Sequence, residues 1–186
     1  MPGPTATRFS VDDYLSLPDD GKRYQVIAGD LVMTPAPETK HQIVLMRLAR
    51  ILADFLEEND LGQILIAPCD VVLSPEDVVQ PDIFFVSAER KHIVGEKNVI
   101  GAPDLVIEVL SPSTEEWDRR AKMAVYSRSR VKESWIVDPD SECIEMRVLQ
   151  KNAWKRARIF GKKEVLTTSL LPGCRVPIAK IFPSSA

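Results

Sequence analysis

The stretch that most constrains the fold is residues 102–112, APDLVIEVLSP. Leu105, Val106, Ile107, Val109 and Leu110 make it apolar at both parities, and prolines bound it. Successive side chains of a strand point to opposite faces, so such a run needs apolar cover on both. The expectation is an inner strand of a sheet with a layer packed on each side. Into this run the sequence places Glu108. A carboxylate taken out of water is tolerated only when it is paired, protonated or beside a cation. Glu108 therefore asks for a partner from elsewhere in the chain.

The surrounding pattern supplies the layers. Over residues 39–58 the period turns helical, with Val44, Leu48, Ile51, Leu52, Phe55 and Leu56 on one stripe and Gly62 as a stop beyond it. A second helix is expected over residues 113–128, opened by a Ser113-x-x-Glu116 capping box, with Trp117, Ala121, Ala124 and Val125 facing inward. A short helix is expected near residues 10–15, and a hairpin over 24–27 and 30–33 turning at Ala28-Gly29. Further strands are expected at 63–67 and 69–73, with a bend or bulge at Pro68, then at 82–86, 104–110, 133–137, 143–149 and 154–160. Residues 87–101 read as a polar loop, and the tail LPGCRVPIAKIF as a docking segment. This order specifies an α/β (α+β) fold, a mixed central sheet flanked by helices, as a single domain over residues 1–186.

Composition excludes several classes. No apolar run approaches the ~18 residues of a membrane helix, and the N-terminal MPGPTATRFSVDD lacks the basic-then-apolar pattern of a secretory signal. A cytoplasmic location with no membrane partner is expected. Cys69, Cys143 and Cys174 match no zinc or redox spacing and read as reduced, buried thiols. The net charge of −3 argues against strong non-specific nucleic-acid binding, but it is unevenly spread: residues 1–110 carry −9 and residues 111–186 carry +6. That asymmetry permits a basic face from the C-terminal part.

Asp82, after Pro81 at the start of DIFFV, is the natural companion of Glu108. Their strands are consecutive, and consecutive strands usually neighbour one another. Antiparallel pairing would bring the start of one beside the end of the other. On the second helix, Asp118 and Lys122 lie four apart on one face, near the inward stripe. Two carboxylates and a lysine at a strand end suit phosphodiester hydrolysis: Asp82 and Glu108 as hard oxygen ligands for Mg²⁺ or Mn²⁺, and Lys122 orienting or deprotonating the attacking water.

Here the chain resembles a known family. The ordered set VVQPDIFFV, PDLVIEVLSPST, DRRAK, a following Tyr, and ESWIVDP resembles the small bacterial restriction-endonuclease family of the PD-(D/E)XK nuclease superfamily. The resemblance implies a restriction-endonuclease-like core over about residues 24–149, metal-binding acids at Asp82 and Glu108, a DNA substrate and a homodimer. In the superfamily motif the lysine lies two residues beyond the acid, where this chain has Leu110; the family's displaced lysine matches Lys122. The family's acid in the first hairpin is Gln25 here, which can hydrogen-bond a metal-bound water but brings no charge. Its Tyr-Trp is Ser134-Trp135, a packing change.

Four residues have bland readings beside functional ones. Asp104 shares strand parity with Glu108 and is either a second acid behind the site or a strand-start residue. Asp118 charges the first helical turn or pairs with Lys122. His41 reads as a surface or capping histidine, with a cleft-facing position as the alternative. Ser111 and Ser113 read as helix caps, since no histidine partner for a nucleophile is evident. The function expected is a divalent-metal-dependent DNA endonuclease. The alternatives are a catalytically silent module of the same fold, contacting protein or nucleic acid, and a two-carboxylate glycosidase, which the low aromatic content of 6% disfavours.

Overall fold

The computed structural model describes residues 8–182; the extreme ends of the expected domain, including most of the stretch read for a leader, lie outside it. The chain opens with helix α1 (Val11–Leu15), capped by Ser10, whose hydroxyl accepts from the Asp13 amide while Asp13 bonds back to the Ser10 amide. Strands β1 (Arg23–Ile27) and β2 (Asp30–Thr34) form the expected hairpin. Its turn needs positive φ at two positions, met by Ala28 at 54° and Gly29 at 81°.

Helix α2 (Thr39–Asn59) follows. His41, Val44, Leu45, Leu48, Ala49, Leu52 and Leu56 form its buried stripe, with Ile51 and Phe55 at its margin. The helix ends in a left-handed Asp60 (φ 49°), not at Gly62 as the pattern suggested. Gly62 instead opens β3 (Gly62–Ile66), where a Cβ would stand 2.3 Å from the Val86 carbonyl oxygen. Only a residue without a side chain permits that approach.

At Pro68 the chain leaves one sheet for another. Strands β4 (Asp70–Ser74) and β5 (Asp77–Val79) join the first hairpin, and β6 (Ile83–Ser87) returns to pair with β3. The expected polar loop is instead a 3₁₀ helix over Ala88–Ile93 and a strand, β7 (Asn98–Ile100), parallel to β4. Then come β8 (Leu105–Val109), a π-helical segment (Trp117–Lys122) running into α3 (Met123–Arg128), and β9 (Glu133–Asp138). After β10 (Cys143–Gln150), the strand expected at 154–160 is two short ones, β11 (Ala153–Trp154) and β12 (Arg158–Gly161), both paired with β10. A small ribbon of β13 (Val165–Leu166) and β14 (Val176–Pro177) completes the described residues.

The larger sheet has the order β11-β10-β9-β8-β6-β3, with β12 also on β10; the smaller has β2-β1-β5-β4-β7. Strand β8 pairs antiparallel with β6 and parallel with β9, and every residue of it is buried. Ile107 and Val109 face the core beneath α2, where the tail residues Leu171, Cys174, Val176, Ile178 and Phe182 also dock. Val106 and Leu110 face a second core shared with α3 and the smaller sheet. The two-sided cover demanded by the sequence is thus supplied by α2 on one face and by α3 with the second sheet on the other. Of the cysteines, Cys174 is buried, while Cys69 and Cys143 are only partly so, and all three are free.

Candidate active site

The pairing of β6 with β8 runs Phe85 to Leu105, Phe84 to Val106 and Ile83 to Ile107. One further step sets Asp82 opposite Glu108. Side chains directly opposed on an antiparallel ladder hold their Cβ atoms about 4.5–5.5 Å apart. Both acids share parity with Phe84 and Val106, which face α3. Asp82 also ends the ladder: its Oδ2 accepts the Val109 amide at 2.8 Å and stands 3.1 Å from Nε2 of His41.

The opposite wall comes from the π-helical segment. Its wider turn carries Asp118 and Lys122 inward together, and both are buried. Lys122 Nζ lies 3.0 Å from Glu108 Oε2 and 2.9 Å from Asp118 Oδ1. The second contact is an ion pair, and Asp118 Oδ1 accepts no hydrogen bond among the described residues. One helical repeat further on, the Tyr126 hydroxyl donates to Glu108 Oε1. Asp118, Lys122 and Tyr126 thus recur every four residues; Lys122 and Tyr126 converge on the Glu108 carboxylate, and Asp118 pairs with Lys122. Single-turn π widening is frequent at functional sites.

Glu108 and Asp118 therefore share one ammonium, and Asp82 stands near enough for its charge to be felt there. Burial pushes Glu108 up to about 8; Lys122 opposes that shift, while Asp118 and Asp82 add to it. Lys122 is held charged: burial opposes its ammonium, but Asp118, Glu108 and Asp82 outweigh burial and raise its pKa. The Tyr126 phenol is raised well above its usual value, by burial first and then by Glu108. Lys122 is in consequence a fixed positive charge with donors to offer, and a poor proton acceptor.

Of the residues singled out from sequence, Asp82, Glu108, Lys122, Gln25, His41 and Asp118 all line one cleft of about 170 Å³. Asp104 does not. It sits at the far end of β8, bonded to the Ser87 amide at 2.9 Å and to Arg90 and Lys132 at 3.1 and 2.7 Å. The reading of His41 as a surface residue is overturned: it is 7% exposed and faces Asp82. Gln25 has both ends of its amide engaged, Nε2 with Thr34 and Oε1 with the Gln80 amide. The Ser113–Glu116 capping box is absent; Ser111 bonds Ser113 and Thr114 through its hydroxyl, and its carbonyl accepts the Glu115 amide. Trp117, expected inward, is 37% exposed at the cleft rim, because the π turn spends its inward positions on Asp118 and Lys122.

Sequence reasoning assigned no role to Tyr126 or to Gln80, whose buried Oε1 has no hydrogen-bond partner among the described residues. The spacing of four after Lys122 was the available signal for Tyr126. Gln80 carried only its position two residues before Asp82.

The donor set suits a hard divalent cation. Among the described residues no three acidic, imidazole or thiol groups form a ready-made metal cage. Mg²⁺, however, is commonly held by one or two carboxylates with waters completing its shell. Asp82 and Glu108 supply two carboxylates on opposed positions, each with lone pairs beyond those used by its protein donors. The surplus of negative charge around Lys122 favours a cation there.

Comparison with known proteins bears on the fold and the family. In a search of solved structures, a crystal structure of a putative nuclease from Anabaena variabilis ATCC 29413 superposes with a TM-score of 0.79, covering 94% of this chain and 97% of that one at 18% identity. That likeness shows the fold. An uncharacterized protein, slr1290, of Synechocystis sp. (strain ATCC 27184 / PCC 6803 / Kazusa) is 23% identical over 149 residues, 78% of this chain and 75% of its own length. No helix among the described residues is long and apolar enough to cross a membrane. The family model described as "Uma2: Putative restriction endonuclease" matches residues 11–179, which take in both sheets, α2 and the whole cleft, and the chain belongs to that family.

Proposed function

We propose that the protein is a divalent-metal-dependent DNA endonuclease, with Asp82 and Glu108 holding the metal and Lys122 as the catalytic cation. One observation carries this reading: Asp82 and Glu108 stand opposed at the end of the β6–β8 ladder, and Glu108 meets a buried ammonium that it shares with Asp118, in a cleft with more acids than bases. A bound Mg²⁺ or Mn²⁺ would polarise the scissile phosphodiester and acidify the attacking water. The chain's own residues do the remainder. His41 and the Val109 amide fix Asp82 through Oδ2 at the wall of the cleft. Tyr126 and Lys122 fix Glu108 through one oxygen each. Lys122 keeps its proton, so it orients water and neutralises charge that develops on the phosphorus oxygens. Asp118 holds the ammonium in place from the helix side. With one site per chain, cutting both strands of a duplex together takes a homodimer, and a single chain cuts one strand at a time.

The test is nicking of supercoiled plasmid with Mg²⁺ or Mn²⁺ by wild type and by Glu108→Gln. The reading requires metal-dependent cutting that the variant lacks. Gln25, which brings no charge where the family resemblance implies an acid, favours a second reading: a silent module that keeps the fold. For that reading, millimolar Mg²⁺ or Mn²⁺ would leave the melting temperature of wild type unchanged.

A further inference from the structure

Among the described residues, eight large apolar side chains remain well exposed, and four of them, Met33, Met46, Ile66 and Trp117, line the one cleft that holds Asp82, Glu108 and Lys122. They come from four separate elements: strand β2, helix α2, strand β3 and the π-helical segment. Scattered apolar residues on a surface need no explanation, but their gathering at one concave site does. Trp117 also differs from the other two tryptophans. The indole N–H of Trp135 is bound to Glu133 and that of Trp154 to the Met123 carbonyl, while Trp117 makes no such bond among the described residues and stands 37% exposed.

The charges of the same cleft point away from a double helix. Its acidic and basic lining is Arg23 and Lys122 against Glu38, Asp82, Glu108 and Asp118. Lys122, held between two buried acids, is committed to the reacting phosphate. Of this lining, that leaves Arg23 to meet a neighbouring phosphate, with one nitrogen donating to the Pro35 carbonyl. Duplex DNA carries one negative charge per ~1.7 Å and is gripped by many cations. A single strand has lower charge density and offers the flat apolar faces of its bases. Aromatic side chains stack on such faces, and methionine adapts its flexible, polarisable chain to them.

We infer that the substrate of this site is single-stranded DNA, or a locally opened strand, with Trp117 as the stacking platform beside the scissile phosphate and Arg23 on a neighbouring one. This rests on the nuclease reading for its site, and binding can be measured apart from cleavage. The full chain is titrated, in Ca²⁺ to limit turnover, with a fluorescein-labelled oligothymidylate and with the same strand annealed to oligoadenylate. Anisotropy gives each Kd, and wild-type tryptophan emission reports on Trp117. Expected are tighter binding of the single strand, on the order of tenfold, and quenching of tryptophan emission by it. Trp117→Ala should weaken single-strand binding on the order of tenfold to a hundredfold, as loss of one stacked base predicts. Trp117→Phe should recover most of it, and circular dichroism checks that both variants fold. Equal or tighter binding of the duplex, or no change in Trp117→Ala, overturns the inference. So does sedimentation showing a wild-type dimer that Trp117→Ala splits, with no strand bound, because the rim is then a subunit interface. Cleavage of both oligonucleotides with Mn²⁺ separates the two readings. Stacking without cutting retains the ligand class and removes the nuclease. Cutting of the duplex that ignores Trp117 does the reverse.

Discussion

Asp104 and Glu108 stand at the two ends of β8, on one face, and are 0% and 1% exposed. Their surroundings differ in charge balance. Asp104 has two cations, Arg90 and Lys132, and the Ser87 amide. Burial alone would raise its pKa, yet Lys132, the Ser87 amide and Arg90 outweigh burial and hold it below the ordinary carboxylate value. Glu108 has one cation, shared with Asp118, and Asp82 opposite, and its pKa is raised. A buried acid with more positive than negative neighbours is a structural pin. One with fewer retains an electrostatic deficit that a proton or a metal ion must fill. Perturbed acids of the second kind cluster at functional sites.

The sharpest break of this comparison is Glu108→Gln against Asp104→Asn. The first should abolish cleavage and any Mg²⁺-dependent rise in melting temperature; the second should leave both in place. If Asp104→Asn removed activity from a folded protein while Glu108→Gln kept it, the assignment of the two ends would be reversed.

Next in size is Lys122→Ala. Loss of a single preorganised donor to developing charge lowers turnover on the order of a hundredfold. Because Lys122 is buried between two acids, the variant also leaves them unpaired, a cost of about 3 kcal/mol in metal-free protein. Added metal should recover part of that. Single-turnover cleavage and urea melts with and without Mg²⁺ measure both.

Asp104→Asn follows, with a loss of about 2 kcal/mol in urea unfolding. Hydrogen bonds to a charged group are weakened, but Arg90 and Lys132 are partly exposed and return to water, which limits the cost.

Smallest, taken per pH unit, is a slope with pH. Glu108 is protonated more readily folded than unfolded, so its contribution is complete below pH 4.5 and is lost as pH rises toward about 8. Asp104 has the opposite sign: its contribution is present above pH 3.8 and is lost as pH falls through its depressed folded value. In chelator, wild type should therefore lose stability between pH 5 and 8, by at most about 1.4 kcal/mol per pH unit for one proton. Glu108→Gln should flatten that limb. A wild-type limb as flat as the variant's would remove the deficit on which the comparison rests.

The same two residues mark how far the sequence could be read. Parity alone put both acids on one face of a buried strand, and the register bears that out. Parity could not say which end was rich in cations, because Arg90 and Lys132 come from a 3₁₀ turn and a loop that carry no periodic signal. The stripe of α2 placed His41 in phase with Val44 and Leu48, which was a usable sign of burial, but its bond to Asp82 spans 41 residues. Strands β5 and β7, three residues each, were too short for any period to register. They exist because neighbours in the smaller sheet accept their backbone groups.

By itself the sequence determined what local sterics and side-chain alternation control: the two-sided burial of β8, the long amphipathic α2, the Ala28-Gly29 turn and the presence of an acid at one end of each of two strands that pair, although the strands are not consecutive, since β7 lies between them. The tertiary structure decided what depends on distant groups sharing one small volume. It chose which strands left for the second sheet, and it turned Trp117 outward while Asp118 and Lys122 went in. It also gave Asp104 two cations and Glu108 half of one. The physical reason is that the energy of a buried charge is set by its neighbours in space, and those neighbours arrive from segments with no sequence relation to it.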